Sequence, residues 1–207
     1  MDNLYNRQKD LPLNLPPHVV VAGVGGVGSW LALGFALSGV PRLTLIDYDS
    51  VEESNLNRTP FKTIHVGLLK VVAMQDLISE RRPSCKVEVL PGRAEDIADL
   101  IKWQEGSLFF DMRDRTEPLP GYPQPIITGG YDGSSVTLHF HPRPGSVWGE
   151  GDSFYTTTPS WLCPPQLIAN IIIAKVLLCS REGEESINTF DIKQLVELLE
   201  RKEVTIE

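Results

Sequence analysis

The sequence predicts an α/β fold with a doubly wound, Rossmann-like and mainly parallel sheet, to which antiparallel strands are added in the C-terminal half. Short β-branched runs alternate with segments of helical period up to about residue 130, which is typical of parallel strands joined by helices. A glycine-rich turn, "GVGGVG", joins the first run to the first helix. Beyond residue 133, apolar and polar residues alternate instead, as in an antiparallel strand with one exposed face. The 207 residues, 42% apolar and 22% charged, suit a single globular domain covering residues 1–207.

Five strands and three helices are predicted in the first part of the chain. The strand "HVVVAG" is a β-branched run ending in glycine, and residues 26–38 are apolar on nearly every side, like a helix packed on a sheet. A second helix is indicated because Leu68, Val71, Val72, Gln75 and Ile78 share one side of "VGLLKVVAMQDLISE". The other elements are the amphipathic helix "AEDIADLIKW" and the strands "RLTLID", "KVEVL", "SLFFDM" and "QPIITGG", all assigned to the parallel sheet.

The C-terminal half begins with a predicted antiparallel strand, "SSVTLHFHP". Residues 141–161 are rich in Pro, Gly, Ser and Thr and indicate a long surface loop. A buried helix follows from Pro164 to about Cys179; its apolar stretch contains Asn170, Lys175 and two prolines, so it does not predict a membrane span. Residues 181–207 are an acidic segment with a final helix over 191–202, and residues 1–17 form an irregular N-terminal arm.

The net charge of −8 is unevenly distributed. Residues 182–207 contain eight acidic and three basic side chains, a balance of −5, which leaves about −3 for the rest of the chain. This balance gives no support for nucleic-acid binding, and the acidic tail is typical of a solvated helix face.

The cysteines and histidines do not predict a zinc site. None of Cys85, Cys163 and Cys179 belongs to a C-x-x-C pair, which excludes a four-cysteine structural zinc, and a sparse, odd count without a signal peptide favours the cytoplasm. His139 and His141 alternate on one predicted strand, where two histidines without a third ligand more often form a polar face than a metal site.

The glycine turn predicts a nucleotide site but leaves its chemistry open. Gly23, Gly25 and Gly28 satisfy G-x-G-x-x-G between a strand and a helix, where glycines let the backbone approach a phosphate. Asp47 ends the next strand, where an acidic residue commonly binds a ribose hydroxyl. This much fits an NAD(P)-dependent oxidoreductase equally well. A glycine turn needed only for close packing of helix on strand is the structural alternative.

The segment "LIDYDSVEESNLNRTPFKTIHVGLLK" favours ATP. A dehydrogenase has no general need for Arg58 and Lys70 after its ribose acid. An enzyme that directs a carboxylate at the α-phosphate of ATP must offset the charge of three phosphates, which these cations could do. Lys70 lies in the first turn of a helix predicted to start near Gly67, where a cation opposes the helix dipole.

These residues resemble the ThiF/MoeB/HesA family of adenylyltransferases, which activate ubiquitin-like and sulfur-carrier proteins. The resemblance rests on "GVGGVGS", "LIDYDSVEESNLNR", "VGLLK" and "DMRD", with the opening "LYNRQ" similar to the family's N-terminal arm. It implies that the C-terminal glycine carboxylate of a small β-grasp protein ending in Gly-Gly attacks the α-phosphate of ATP. The products are an acyl-adenylate and pyrophosphate, and a conjugating enzyme is a possible later partner.

The resemblance also assigns roles to single residues. Asp47 is expected to bind the ribose, Asn55, Arg58 and Lys70 the phosphates, and Asp114 a Mg²⁺ ion. Arg7 is expected to reach the active site of a second subunit, which implies a homodimer. The full predicted nucleotide set is Gly23, Gly25, Gly26, Gly28, Asp47, Asp49, Asn55, Arg58 and Lys70.

Two positions and several alternatives complete the expectations. Arg115 follows "DMRD" where the family usually has Asn, and Cys163 precedes a proline at a predicted helix start, where a thiol could accept the acyl group or simply be buried. The alternatives are a family member that adenylates a peptide or tRNA-linked carboxylate, an NAD(P)-dependent oxidoreductase, and a non-catalytic partner-binding subunit.

Overall fold

A four-stranded parallel sheet forms the centre of the protein, as seen in a computed structural model that describes residues 4–114, 119–143 and 159–201. Its strands are β1 (Val19–Ala22), β2 (Arg42–Asp47), β3 (Lys86–Pro91) and β4 (Leu108–Asp111), in the spatial order β3-β2-β1-β4. The connecting helices are α1 (Gly26–Ser38), α2 (Lys70–Arg81) and the short α3 (Ala94–Ile97). All three strand pairs are parallel, so the predicted Rossmann-like sheet is confirmed.

Both faces of this sheet are covered. Val19 and Val21 of β1 point into the larger hydrophobic cluster, which contains residues of α1 and α2, whereas Val20 and Ala22 point into a second cluster beside α3. Successive side chains of a strand face opposite sides, so four fully buried residues in a row require a layer on each face. The second cluster is closed by aromatic contacts among Trp103, Phe109 and Tyr122.

A separate antiparallel sheet of three strands follows. It consists of β5 (Ile127–Asp132), β6 (Ser135–Phe140) and β7 (Ser186–Asp191), in the order β5-β6-β7. The assignment of "QPIITGG" to the parallel sheet was therefore wrong, because β5 turns back on β6 through a tight hairpin instead of crossing over through a helix. The strand β7 was missed: it lies inside the acidic segment, where only a helix was predicted.

Two further helices belong to this half: α4 (Cys163–Leu178) and α5 (Ile192–Arg201). The helix α4 runs alongside α1 in the same direction. A Cβ added to Gly26 would lie 3.4 Å from Pro165, and one added to Gly34 would overlap the side chain of Ile173, so the contacts advance equally along both helices. Residues 1–3, Arg115, most of the predicted 141–161 loop and residues 202–207 lie outside the described ranges.

Three smaller differences concern boundaries. The segment "AEDIADLIKW" forms only one helical turn and a 3₁₀ turn (Ala98–Leu100), because the chain bends to place Trp103 in the aromatic cluster. Only His139 lies on β6, buried against Glu185; His141 lies beyond the strand with a φ of 46°, so the two histidines do not share a strand face. Within the described ranges, no helix has the length and hydropathy needed to cross a bilayer.

Candidate nucleotide site

Two glycines of the "GVGGVG" turn are required by the fold itself. Gly23 has a φ of +87°, and a Cβ there would lie 2.5 Å from the carbonyl oxygen of Met112. A Cβ on Gly28 would overlap the carbonyl oxygen of Gly23. At these positions the packing explanation is sufficient, since side chains would collide with the backbone of the turn and of the chain just after β4.

Gly25 is different, because its missing side chain leaves open space. A Cβ on Gly25 would meet no atom of the described residues within 4 Å. The residue is the N-cap of α1, whose N-terminus has no side-chain cap and no acidic residue in its first turn. The helix dipole and the backbone N–H groups make such an end favourable for an anion, so a phosphate fits this cradle.

Gly26, the first residue of α1, faces a side chain from the second sheet. A Cβ there would lie 2.6 Å from the hydroxyl oxygen of Tyr131, which comes from β5. The role of Gly26 at the nucleotide stays a prediction. The structure shows that Tyr131 is its neighbour. Sequence reasoning missed Tyr131, because nothing in "ITGGYDG" indicates that this strand packs beside the glycine turn.

Asp47 joins the end of β2 to the glycine turn. One carboxylate oxygen accepts a hydrogen bond from the backbone N–H of Val24 at 2.6 Å, and the other accepts from the N–H of Asp49 at 2.9 Å. The residue is 9% exposed. Because each carboxylate oxygen has a second lone pair, the group can still accept hydrogen bonds from ribose hydroxyls. Its position beside the cradle fits the predicted ribose contact.

Lys70 and Asp49 lie together at the same edge of the sheet. The Lys70 ammonium group is 2.9 Å from Asp49 Oδ2, and the Lys70 N–H donates to the Asp49 carbonyl oxygen at 2.9 Å. The helix α2 begins at Lys70 and not near Gly67, since residues 67–69 pair with residues 50 and 51 before it starts. Lys70 therefore stands at the very start of α2, in an ion pair with Asp49.

Arg58 and Asn55 belong to the loop between β2 and α2. The Arg58 guanidinium donates to the Ser54 carbonyl oxygen at 2.6 Å, and the Arg58 carbonyl oxygen accepts from Trp30 of α1. The Asn55 side-chain oxygen caps its own 3₁₀ turn by accepting from the Glu52 N–H at 3.1 Å. Trp30 therefore fixes this loop against the helix whose N-terminus forms the cradle.

The acids of "DMRD" have different surroundings. Arg113 holds both carboxylate oxygens of Asp111, at 2.8 and 2.9 Å, and also contacts Glu95. Burial would lower the pKa of Arg113, but the Asp111 and Glu95 carboxylates together outweigh burial and hold that pKa above its ordinary value. Asp111 is thus committed to Arg113, whereas Asp114 is exposed. Sequence reasoning missed this pairing, although a basic residue between two acids was a visible signal.

The metal role of Asp114 remains a prediction. Among the residues that the structure describes, no group of three or more His, Cys, Asp or Glu side chains is placed to hold a metal ion. A Mg²⁺ ion bound through one carboxylate and phosphate oxygens would need no such group, because Mg²⁺ commonly keeps several waters.

Arg7 lies far from the cradle of its own subunit. The arm is held at the C-terminal end of α1, where Gln8 donates to the Ser38 carbonyl oxygen at 2.8 Å and the Tyr5 ring lies beside Gly39. The 13 residues of α1 place this end about 20 Å from the glycine turn. An Arg7 contact to a nucleotide would therefore have to be made in a second subunit.

Cys163 lies at the same end of the molecule as the glycine turn. It is the first residue of α4 and is half-buried. Because α4 runs parallel to α1, with Pro165 against Gly26, the two helices begin side by side. The structure thus brings this thiol near the predicted phosphate cradle, although the sequence separates them widely.

Residues 12–114 match the ThiF family. The Escherichia coli (strain K12) tRNA threonylcarbamoyladenosine dehydratase is 41% identical over 88 residues, which cover 40% of this chain and 31% of that protein. The Xenopus laevis ubiquitin-like modifier-activating enzyme 5 is 42% identical over 135 residues, 64% of this chain and 32% of the relative. Each alignment thus spans about a third of the curated relative.

A solved structure of the same E. coli dehydratase resembles the fold. It is 32% identical, covers 58% of this chain and 56% of that one, and superposes with a TM-score of 0.52. That protein was crystallised in complex with AMP. The ThiF match over residues 12–114 includes the glycine turn and Asp47.

Proposed function

The chain belongs to the ThiF family, and from this premise we propose that it is an adenylyltransferase that uses ATP to activate a carboxylate. One observation carries the proposal: the open space at Gly25 adjoins the buried Asp47 carboxylate, which is bound to the N–H of Val24. A phosphate cradle next to a ribose acceptor is the arrangement that an adenine nucleotide needs. The AMP complex of the dehydratase relative supports the same nucleotide class.

The proposed acceptor is the C-terminal glycine carboxylate of a ubiquitin-like or sulfur-carrier protein. The similarity to ubiquitin-like modifier-activating enzyme 5, whose name states such an acceptor, supports this choice. The overall charge of −8 gives no support for a nucleic-acid substrate.

The residues support catalysis by positioning and charge neutralisation. One oxygen of the acceptor carboxylate attacks the α-phosphorus, the bond to the β-phosphate breaks, and pyrophosphate leaves with its electron pair. The acceptor is already ionised at neutral pH, so no side chain has to remove a proton. Lys70, Arg58 and the N-terminus of α1 would offset the charge that accumulates on the phosphates. Asp114 would hold a Mg²⁺ ion, which would supply further positive charge there.

Two further parts of the proposal extend beyond the adenylation step. Arg7 of one subunit would complete the site of the other, since it lies at the far end of its own α1. The Cys163 thiolate would accept the acyl group from the adenylate, releasing AMP, because α4 begins beside the cradle. A conjugating enzyme would then receive the thioester.

A tRNA-linked carboxylate is the second candidate acceptor. It is favoured by the 41% identity to the tRNA threonylcarbamoyladenosine dehydratase. The two acceptors share the adenylation step and differ only in what delivers the carboxylate, so one assay can separate them.

ATP–pyrophosphate exchange tests the proposal directly. The full chain is incubated with MgATP and labelled pyrophosphate, alone, with β-grasp proteins ending in Gly-Gly, and with tRNA bearing threonylcarbamoyladenosine. We expect exchange that depends on a β-grasp protein and disappears when its Gly-Gly is deleted. Exchange that appears only with the tRNA would select the second acceptor.

Matched variants separate catalysis from folding. Arg58→Ala, Lys70→Ala and Asp114→Asn are expected to reduce exchange at least tenfold. Gly25→Ala is expected to abolish ATP binding without lowering thermal stability, because its Cβ would enter open space that the proposed phosphate needs. Binding of NAD⁺ in preference to ATP, or full exchange in these variants, would overturn the proposal. Cys163→Ala should retain exchange and lose only a thiol-sensitive conjugate.

A further inference from the structure

The hydroxyl group of Tyr131 lies over the first residue of α1. A Cβ on Gly26 would be 2.6 Å from the hydroxyl oxygen and 3.5 Å from the nearest ring carbon. The oxygen and not the ring is therefore the part of Tyr131 closest to the start of the helix. Gly26 is the first residue of α1 and follows its N-cap, Gly25, so this oxygen lies at the helix end that forms the phosphate cradle.

The second sheet and the larger hydrophobic cluster hold Tyr131 in place. Its backbone pairs with Val136 across the β5–β6 hairpin, and its side chain packs against the cluster. A side chain packed in this way has restricted rotational freedom, which favours a hydroxyl that is positioned before any ligand arrives.

This hydroxyl is not used by the fold. In the described part of the chain it takes part in no hydrogen bond, and Tyr131 is only partly buried. A phenol can donate one hydrogen bond. Its neighbour is the uncapped, acid-free N-terminus of α1, where an anion is favoured.

We propose that Tyr131 is a nucleotide-binding residue whose hydroxyl donates a hydrogen bond to a phosphate oxygen of ATP held at the N-terminus of α1. The inference deepens the proposed function and rests on it. It also explains why the antiparallel sheet lies where it does: it supplies a donor to a cradle otherwise built from the parallel half. Gly26 then has the role of leaving room for that donor.

Calorimetric titration of the full chain tests the hydrogen bond. MgATP and adenosine are titrated into the wild type and Tyr131→Phe, which keeps the ring and removes the oxygen. A hydrogen bond to a charged oxygen changes affinity by about tenfold, so we expect the Kd for MgATP to rise about tenfold. The Kd for adenosine, which has no phosphate, should stay the same.

Tyr5→Phe is the matched control. It removes a phenolic hydroxyl that is buried without a partner at the opposite end of α1, and should leave both affinities unchanged. An unchanged Kd for MgATP in Tyr131→Phe, or an equal loss for adenosine and MgATP, would overturn the inference. A wild type that binds no MgATP would instead remove the proposed function on which it rests.

A double-mutant cycle tests the geometry without any nucleotide. Gly26→Ala should lower the melting temperature of the wild type, because its Cβ collides with the Tyr131 oxygen. In the Tyr131→Phe background the loss should be smaller, since the new methyl group then meets Pro165 and a ring carbon at ordinary contact distances of 3.4 and 3.5 Å. Equal losses in both backgrounds would show that the hydroxyl does not lie over Gly26.

Discussion

The two sheets differ in how completely the chain satisfies its own buried polar groups. In the parallel sheet, both ring nitrogens of His18 and both carboxylate oxygens of Asp47 have partners within 3.0 Å. In the antiparallel sheet, Thr128 Oγ1, Asp132 Oδ1 and His139 Nδ1 are buried and have no hydrogen-bond partner within the described part of the chain. Each such atom costs about 1–3 kcal/mol, so the second sheet gains less from its own hydrogen bonds.

The same contrast holds for apolar side chains. All four residues of β1 are fully buried, whereas Ile187 of β7 and Leu199 of α5 are 55% and 58% exposed. The second half is attached mainly through α4 and one face of β6, whose Val136 and Leu138 join the larger cluster. The parallel half is thus stabilised by its own core, and the antiparallel half depends on that core.

Gly28→Ala should give the largest effect on stability. The new Cβ would overlap the backbone carbonyl oxygen of Gly23, and neither element can move away without disturbing the packing of β1 on α1. We expect the free energy of unfolding to fall by about 3 kcal/mol or more, measured by urea denaturation.

Gly133→Ala is the corresponding change in the second half. Gly133 has a φ of +60°, but among residues 4–114, 119–143 and 159–201 a Cβ there would meet no atom within 4 Å. Only the backbone penalty of about 1–2 kcal/mol remains. If Gly133→Ala proved as destabilising as Gly28→Ala, the proposed difference between the two halves would be wrong.

The pH dependence of stability should reveal the buried His18. The ring is fully buried at the start of β1, between Ser107 and Thr44, and burial lowers its pKa to about 4. Between pH 6.5 and 4, His18 is protonated in the unfolded chain, where its pKa is near 6.5, but stays neutral in the folded chain. The contribution is fully present above about pH 6.5 and is lost as the pH falls towards 4, by up to about 3 kcal/mol.

His18→Gln separates this effect from that of the carboxylates. The variant should be less stable at pH 7, yet lose less free energy of unfolding than the wild type between pH 6.5 and 4. Parallel curves for the two proteins would mean that His18 is not the group responsible, and that the start of the parallel sheet tolerates a charged ring.

The parallel half was largely predictable from sequence because its signals are local. Each strand is a short apolar run, and Asp47 occupies the place after the second strand where a ribose acid is expected. The same signals could not show which glycines are needed for packing and which leave space for a ligand. Only coordinates show that Gly23 and Gly28 are needed for packing whereas Gly25 leaves space.

The antiparallel half was predicted less well because its structure depends on distant partners. The strand β7 carries four exposed residues, so its sequence has no hydrophobic run, and it forms because β6 offers a free edge. Tyr131 lies beside Gly26, and Pro165, two residues after Cys163, packs against Gly26 because α4 runs along α1. No spacing within "ITGGYDG" or "WLCPPQ" could indicate that contact.

Leu199→Ser should have the smallest effect. Leu199 lies on the outward side of α5, with Val196 and Leu198 about half exposed beside it. Removing a side chain already in water should change the free energy of unfolding by no more than about 0.5 kcal/mol. In contrast, Leu31→Ser, at a fully buried position of α1, should lower it by several times as much.

Measuring the unfolding of both variants over a range of protein concentrations sharpens the comparison. A loss of about 2 kcal/mol for Leu199→Ser that vanishes on dilution would mean that α5 is covered by a second copy in solution, because only a bound partner makes stability depend on concentration.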